Sequence, residues 1–329
     1  MASFTHLHTH SGYSFLDGLP SPTELAQAAA NDGMDALALT DHHGLTGAIE
    51  FYDACRAIGL RPILGMEATV NPPADWPRAD ALAEKGNLVL LAMDLDGWRS
   101  LCRLSTLLQT APDRDPTRGL TFDQLTRNTT GPICLTGGAR RLAAKLILAG
   151  PDDAARGCLA RLADLFRDRL YVELQKQSPA DDELASRLAR AAQQVPLPIV
   201  ATNSVHYLTP GQAELQRTFT AMRLNRPLSD LPRDAAAPPG SHFVSTAEMV
   251  ERFADLPEAI AATREIADRC RLELNSPSSA NGDTRRSFSS WRRSSPTRGA
   301  PACRPLRAAR PPRRWWLTAS ASLRPTPSG

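Results

Sequence analysis

The sequence THLHTH at residues 5–10 places a histidine at every second position of a predicted β-strand. Side chains alternate between the two faces of a strand, so we expect His6, His8 and His10 to project from one face. Imidazole is the commonest protein ligand for zinc-like metal ions. Three of the seven histidines fall in this one segment, which favours a metal site over an incidental polar strand end.

Six further short apolar segments follow and alternate with amphipathic helical patterns. Several are nearly uninterrupted apolar runs, such as ALAL and LVLLA, which are typical of parallel strands covered on both faces. The predicted strands are residues 5–10, 35–40, 61–70, 87–93, 132–136, 170–174 and 198–202. The predicted helices include residues 22–31, 45–58, 97–109, 141–148, 181–194, 246–254 and 257–270. Seven strand–helix repeats predict an α/β fold, a closed barrel of mostly parallel strands, with an open doubly wound sheet as the alternative.

Charge divides the chain into an acidic body and a basic tail. The net charge of the 329 residues is +3, yet residues 276–329 hold eleven Arg, no Lys and one acidic residue, Asp283. This tail is rich in Pro and Ser and has no sustained periodicity, so we expect it to be disordered. Two interpretations remain: an arm that binds RNA or DNA phosphates, or out-of-frame translation of a GC-rich gene, which we favour.

Neither the start of the chain nor any later segment looks membrane-directed. No run of eighteen apolar residues occurs, and the first residues lack the basic and apolar regions of a signal peptide. Six cysteines are scattered without a CxxC pair, as expected for reduced thiols and not for a zinc ribbon. We therefore expect a cytoplasmic protein without a membrane partner.

Further histidines and a glutamate stand at or near the ends of the predicted strands. TDHH at residues 40–43 ends the second strand, GME at 65–67 lies within the third, and His206 follows the seventh. In an α/β barrel the carboxyl ends of the strands meet at one rim, where barrel enzymes place their sites. Five histidines and a glutamate are therefore expected to converge there: His8, His10, His42, His43, His206 and Glu67.

Five motifs in order resemble a known family. HLHTHSGYSFLDG (6–18), ALTDHHGLTGAIEFY (38–52), GMEATV (65–70), NLVLLAMDLDGWRSL (87–101) and ATNSVHYL (201–208) are similar to successive motifs of the PHP domain in bacterial DNA polymerase III alpha subunits. Residues 241–274, SHFVSTAEMVERFADLPEAIAATREIADRCRLEL, resemble the segment that joins this domain to the polymerase core. Free-standing PHP phosphatases lack that segment, so the resemblance points to the polymerase branch.

The resemblance implies a distorted (βα)7 PHP barrel that binds up to three zinc or manganese ions through nine ligands. Six of these ligands are present: His8, His10, Asp17, His42, Glu67 and His206. Three are replaced, because Asn87, Gly138 and Ser204 stand where the family has histidine, cysteine and aspartate.

The replacements are unevenly distributed among the implied sites. One ion would keep His8, His10 and Glu67, and another would keep Asp17, His42 and His206. The ion between Glu67 and the lost histidine and cysteine should not bind. The resemblance therefore implies one or two divalent ions per chain, not three.

The resemblance also implies a function in DNA replication, as the amino-terminal domain of a replicative polymerase alpha subunit whose polymerase core is absent from this chain. The incomplete metal set implies a structural, metal-binding domain with at most weak 3′–5′ exonuclease or phosphoesterase activity. Implied partners are the remainder of the polymerase, a proofreading exonuclease subunit, and DNA through the full-length protein.

Two other functions stay open on the sequence. One is a stand-alone metal-dependent phosphoesterase of the histidinol-phosphatase kind, and the other is nucleic-acid binding through the basic tail. For the domain organisation we expect a PHP barrel (1–209), a helical segment leading toward the polymerase core (210–275) and a disordered tail (276–329).

Overall fold

The computed structural model describes residues 3–72, 85–110, 119–138, 144, 152–179, 181–232 and 235–274. The predicted helix at 141–148, apart from position 144, and the predicted disordered tail lie outside these residues. Among the described residues, no helix is long and apolar enough to cross a membrane.

A six-stranded sheet forms the centre of the described chain, with its strands side by side in chain order. A doubly wound sheet reverses its strand order at a switch point, so this sequential order excludes that alternative. The strands are β1 Ala36–Leu39, β2 Arg61–Val70, β3 Gly86–Ala92, β4 Pro132–Leu135, β5 Leu170–Gln175 and β6 Ile199–Thr202. The predicted α/β barrel class is therefore confirmed, and six of the seven predicted strands form within two residues of their expected bounds.

The strand β3 is the exception in a barrel that is otherwise parallel, as predicted. It runs antiparallel to both neighbours, β2 and β4, whereas the pairs β1–β2, β4–β5 and β5–β6 are parallel. Thr69 therefore pairs with Asn87, so that the beginning of β3 lies beside the end of β2. Because of this reversal, Asn87 at the start of β3 lies at the same rim of the sheet as the carboxyl ends of the other strands.

The first predicted strand, residues 5–10, does not form a continuous ladder but contacts both edges of the sheet. On one side, the amides of Ala38 and Thr40 donate hydrogen bonds to the carbonyls of His6 and Thr9, each at 2.9 Å. On the other side, Thr9 forms an isolated parallel bridge with Val205, just beyond β6. The segment thus lies between β1 and the chain after β6, as an irregular seventh strand.

Nine α-helices occur in the described residues, and most cover the outer face of the sheet. Their bounds are α1 Pro22–Asn31, α2 Ala48–Ala57, α3 Leu95–Gln109, α4 Phe122–Thr126, α5 Asp152–Phe166, α6 Asp181–Gln194, α7 Ala213–Arg223, α8 Thr246–Arg252 and α9 Pro257–Arg269.

Two predicted helix starts have different outcomes. At α1, Ser21 and Glu24 exchange the two bonds of a capping box, as predicted. At α8, Ser245 accepts a hydrogen bond from the Glu248 amide, but the Glu248 carboxylate turns away to pair with Arg252 at 2.6 Å. The second capping box is therefore only half formed.

The inner face of the sheet is covered at one end by α9. Ala262, Ile266 and Ala267 of this helix pack with inward-facing strand residues such as Ile63 and Val89. Residues Met1–Leu274 cluster as one compact unit. The domain boundary near residue 210 stays a prediction. The helix α9, which follows that boundary in the chain, packs against the inner face of the sheet. At its other end, the inner face carries polar side chains.

Candidate metal centre

Loops and strand ends at one rim of the sheet carry the predicted site residues. His8 and His10 come from the irregular first strand and His42 follows β1, where it forms an isolated bridge with Glu67 of β2. His206 follows β6, and its amide hydrogen-bonds to the Ser241 carbonyl. All six predicted ligands, Asp17 included, meet in this region through the contacts described below.

The inner group consists of His8, His10 and Glu67, whose side chains are fully buried. His8 Nε2 lies 2.8 Å and His10 Nε2 3.5 Å from Glu67 Oε2. One donor atom from each residue lies within 4.8 Å of the other two, close enough to share a metal ion. Two imidazoles and a carboxylate are a donor set that suits zinc-like ions.

The outer group consists of His10, His42 and His206, whose donor atoms also lie within 4.8 Å of one another. The His10 ring stacks on His42 with 4.2 Å between centroids and lies 4.4 Å from His206. Asp17 Oδ2 is 2.7 Å from His42 Nε2 and 3.7 Å from His206 Nε2. Asp17 thus lies beside this group as expected, while the third imidazole is that of His10, which was assigned to the inner site alone.

His10 therefore belongs to both groups and provides a test of fit for a metal ion. Its Nδ1 lies 3.2 Å from Ser14 Oγ. Its Nε2 is buried and makes no hydrogen bond with any described residue. Burying an imidazole nitrogen without a hydrogen bond costs free energy. A nitrogen that lies beside a carboxylate and two imidazoles is, however, well placed to bind a metal ion. The donors present fit a divalent ion.

The electrostatics of the site differ sharply between neighbouring histidines. Burial alone would lower the pKa of His8, but the carboxylates of Glu173 and Glu67 outweigh it and raise this pKa from 6.5 to about 9. For His42, Glu67 and Asp17 likewise outweigh burial and raise the pKa to about 10. Burial and the charges of His42 and His206 lower the pKa of His10 well below 6.5. His10 is therefore neutral at pH 7.

The residues at two of the three replaced ligand positions line the same cleft, and all three have identifiable contacts. The Asn87 amide donates a hydrogen bond to Glu67 Oε1, and its Oδ1 accepts one from Thr69 at 2.8 Å. Ser204 accepts a hydrogen bond from His206 Nδ1 through its carbonyl, at 2.7 Å. Asn87 and Ser204 line a cleft of about 1220 Å³ that also includes Asp17, His42 and His206.

Gly138 faces Gln175, whose side chain occupies the space into which a Cβ at position 138 would project. Gln175 in turn donates a hydrogen bond to Glu173 at 2.8 Å. The place of the expected cysteine ligand is therefore filled by a neutral amide that is bonded elsewhere.

Two histidines of the signature motifs lie outside both groups. His6 Nε2 donates to the Val244 carbonyl at 2.8 Å, and its ring packs against Phe4 and Phe243. His6, which was not among the expected ligands, thus lies outside the site although it belongs to the same predicted strand as His8 and His10. Strand residues two apart are separated by about 6.6 Å, which leaves His6 too deep to reach the rim. His43 lines the cleft but bonds to Thr69 Oγ1 at 2.7 Å.

Sequence reasoning missed several polar residues that contact the ligands. Glu173 Oε1 lies 2.6 Å from His8 Nδ1, and Gln216 of α7 donates a 3.0 Å hydrogen bond to Asp17. Arg223 of the same helix lies 3.3 Å from Asp17. The available signal was a lone glutamate within the apolar run LYVELQ at residues 170–175.

Comparison with known proteins agrees with this geometry. The profile of the PHP domain family matches residues 6–177. The chain belongs to the PHP domain family. It is 35% identical over 275 residues to an error-prone DNA polymerase of Mycobacterium bovis, which covers 83% of this chain and 25% of the relative. It is 32% identical over 274 residues to the DNA polymerase III alpha subunit of Pseudomonas aeruginosa, covering 83% and 23% respectively.

The resemblance to the alpha-subunit PHP domain is thereby confirmed: this PHP domain is homologous to the N-terminal region of DNA polymerase III alpha subunits. The chain spans about a quarter of the length of the curated relatives it matches. Among solved structures, one described as a candidate metal-dependent phosphoesterase of Bifidobacterium adolescentis is 17% identical with a TM-score of 0.41. It covers 63% of this chain and 88% of its own.

Proposed function

We propose that this PHP domain is the metal-binding, mainly structural amino-terminal part of a DNA polymerase of the alpha-subunit type. It holds one or two zinc or manganese ions through His8, His10, Asp17, His42, Glu67 and His206. It hydrolyses phosphodiesters weakly at most, so its contribution to DNA replication lies in supporting the polymerase.

The observation that carries this proposal is that the two donor groups share His10. Only Nε2 of His10 is available, since Nδ1 faces Ser14. A multi-metal hydrolase needs neighbouring ions, one to lower the pKa of a bound water and others to stabilise charge on phosphate oxygens. Asn87, Gly138 and Ser204 replace three ligands. The donors that would complete a full cluster, in which each group binds its own ion, are therefore missing.

The partners follow from the relatives named above. The remainder of a polymerase is the first proposed partner, and the segment at 241–274, which includes α9, would connect to it. DNA would be contacted through that polymerase. A proofreading exonuclease subunit is a further proposed partner, and the cytoplasm is the proposed compartment.

A stand-alone phosphoesterase is the second candidate, and the accessibility of the outer group favours it. The side chain of His42 is 25% exposed and lies at the cleft of about 1220 Å³, whereas the inner group is fully buried. A small phosphate ester could therefore reach the outer group but not the inner one.

One experiment distinguishes the two candidate functions. The variant Asn87→His/Gly138→Cys/Ser204→Asp, made in a Gln175→Ala background to admit the cysteine, returns an imidazole, a thiolate and a carboxylate. Ser204 has φ 47°, which aspartate tolerates well. With manganese, the restored protein should hydrolyse bis(p-nitrophenyl) phosphate while the parent and Gln175→Ala alone stay near background. A parent as active as the restored protein would make the phosphoesterase the better description.

A further inference from the structure

Ser14 and Asp41 lie beside the candidate metal centre and carry none of the proposed ligand atoms. Asp41 is the acidic residue of TDHH, and Ser14 lies in the loop after the first strand. Both side chains are buried, Ser14 1% and Asp41 3% exposed. Their hydrogen bonds form one connected network that ends on His10.

The Asp41 carboxylate accepts three hydrogen bonds. Ser11 donates its amide to Oδ1 at 2.7 Å and its hydroxyl to Oδ2 at 2.8 Å. Ser14 donates its hydroxyl to Oδ1 at 2.7 Å. Because a serine hydroxyl has a single proton, the proton of Ser14 is committed to Asp41.

The oxygen of Ser14 can consequently only accept from its other neighbours. One is the backbone amide of His42, at 3.2 Å. The other is Nδ1 of His10, also at 3.2 Å, which must then carry the imidazole proton. With one donated and two accepted hydrogen bonds, the hydroxyl of Ser14 is saturated.

We propose that Asp41, acting through Ser14, fixes His10 as the Nδ1–H tautomer and so presents the Nε2 lone pair to the metal ion. The opposite tautomer would break the Ser14–Asp41 bond and would direct an Nε2–H, in place of the lone pair, toward Glu67 Oε2 at 3.5 Å. Asp41 and Ser14 are therefore positioning residues. The metal part of this inference rests on the proposed function, whereas the tautomer does not.

Substitutions at position 41 separate the proton relay from packing. In Asp41→Asn, the side-chain oxygen still accepts from the Ser11 amide and the Ser14 hydroxyl, while the new NH2 donates to the Ser11 hydroxyl. The tautomer of His10 is retained. In Asp41→Leu, the Ser14 proton is released and turns to His10 Nδ1, which reverses the tautomer. Ser14→Ala removes the relay altogether, and Ser11→Ala is the matched control because it leaves the Ser14 bond in place.

The test is a two-bond 1H–15N correlation spectrum of 15N-histidine-labelled, chelator-treated protein, with the His10 signals assigned by comparison with His10→Gln. The parent, Asp41→Asn and Ser11→Ala should show the Nδ1–H pattern, and Asp41→Leu the Nε2–H pattern. In competition against a fluorescent zinc chelator, Asp41→Leu and Ser14→Ala should bind zinc at least about tenfold more weakly than the parent. The two control variants should stay within about threefold of it.

An Nε2–H pattern in the parent would overturn the relay, as would an unchanged pattern and affinity in both Asp41→Leu and Ser14→Ala. If Asp41→Leu does not fold by circular dichroism, the comparison of Ser14→Ala with Ser11→Ala decides. A parent with the Nδ1–H pattern that binds no zinc would leave the relay standing and refute the metal-binding function.

Discussion

Glu173 Oε1 lies 2.6 Å from His8 Nδ1, and both side chains are fully buried. On its other side, His8 Nε2 contacts Glu67 at 2.8 Å. The imidazole is thus held between two carboxylates, one on β2 and one on β5. A carboxylate behind a ligating histidine fixes the ring and raises its basicity as a ligand.

Replacing Glu173 by glutamine should therefore weaken metal binding without removing a ligand. The amide keeps an acceptor for His8 Nδ1–H but loses the negative charge, so we expect zinc affinity to fall about tenfold or more. Competition with a chelator measures this, and Glu183→Gln on the exposed face of α6 is the matched control. An affinity equal to that of the control would show that Glu173 serves packing alone.

Metal binding should release protons at neutral pH. In the metal-free protein the pKa values of His8 and His42 are about 9 and about 10, so both rings carry a proton that an ion must displace. Affinity should rise between pH 6.5 and 8.5, by about tenfold per pH unit for each proton released. Calorimetry in buffers of different ionisation enthalpy counts these protons, and binding without proton release would contradict the assignment.

The same two pKa values predict the opposite trend for the metal-free fold. A raised folded-state pKa means that the imidazolium–carboxylate contacts stabilise the fold fully below the unfolded value of 6.5. That stabilisation is lost as pH rises through 9 to 10. Urea unfolding of chelator-treated protein should therefore show lower stability at pH 10 than at pH 8, and His8→Gln should reduce the difference. A parent whose stability is unchanged over this interval would argue against protonated histidines.

Gly138→Cys should destabilise the fold unless Gln175 is shortened. A Cβ at position 138 would overlap the side-chain amide of Gln175, and overpacking of this kind costs about 1–3 kcal/mol. The barrier is steric, since the positive φ in this turn, 76°, belongs to Gly137. In a double-mutant cycle by urea unfolding, Gly138→Cys in the Gln175→Ala background should cost less than in the parent. Equal costs would mean that Gln175 does not fill the missing ligand's place.

Much of the fold was predictable because apolar runs reveal buried strands. β2 was predicted to the residue, and the apolar patterns also gave the two last helices. The antiparallel direction of β3 was not predictable, because the run NLVLLA at residues 87–92 is apolar on both faces and carries no information on direction. Direction depends on pairing partners that are distant in sequence.

The site was predictable only where the residue type and its position in a motif indicate a metal ligand. His8, His42 and His206 could be placed at one rim from strand ends and motif order. The sharing of His10 between two donor groups could not, because it depends on distances of a few ångströms between loops. Nor could Glu173 or Asp41, whose roles come from hydrogen bonds to chain segments about 165 and 30 residues away.

The metal content of the parent and of His10→Ala is the sharpest check on the proposed metal centre. Elemental analysis after equilibration with excess zinc or manganese and removal of unbound ion should give one or two ions per chain for the parent. Because His10 belongs to both donor groups, the His10→Ala variant should hold less metal than the parent and lose at least the ion held with His8 and Glu67. His43→Asn should retain it, since His43 bonds to Thr69 and its φ of 56° suits asparagine. Three ions in the parent, or full metal content in His10→Ala, would contradict the account.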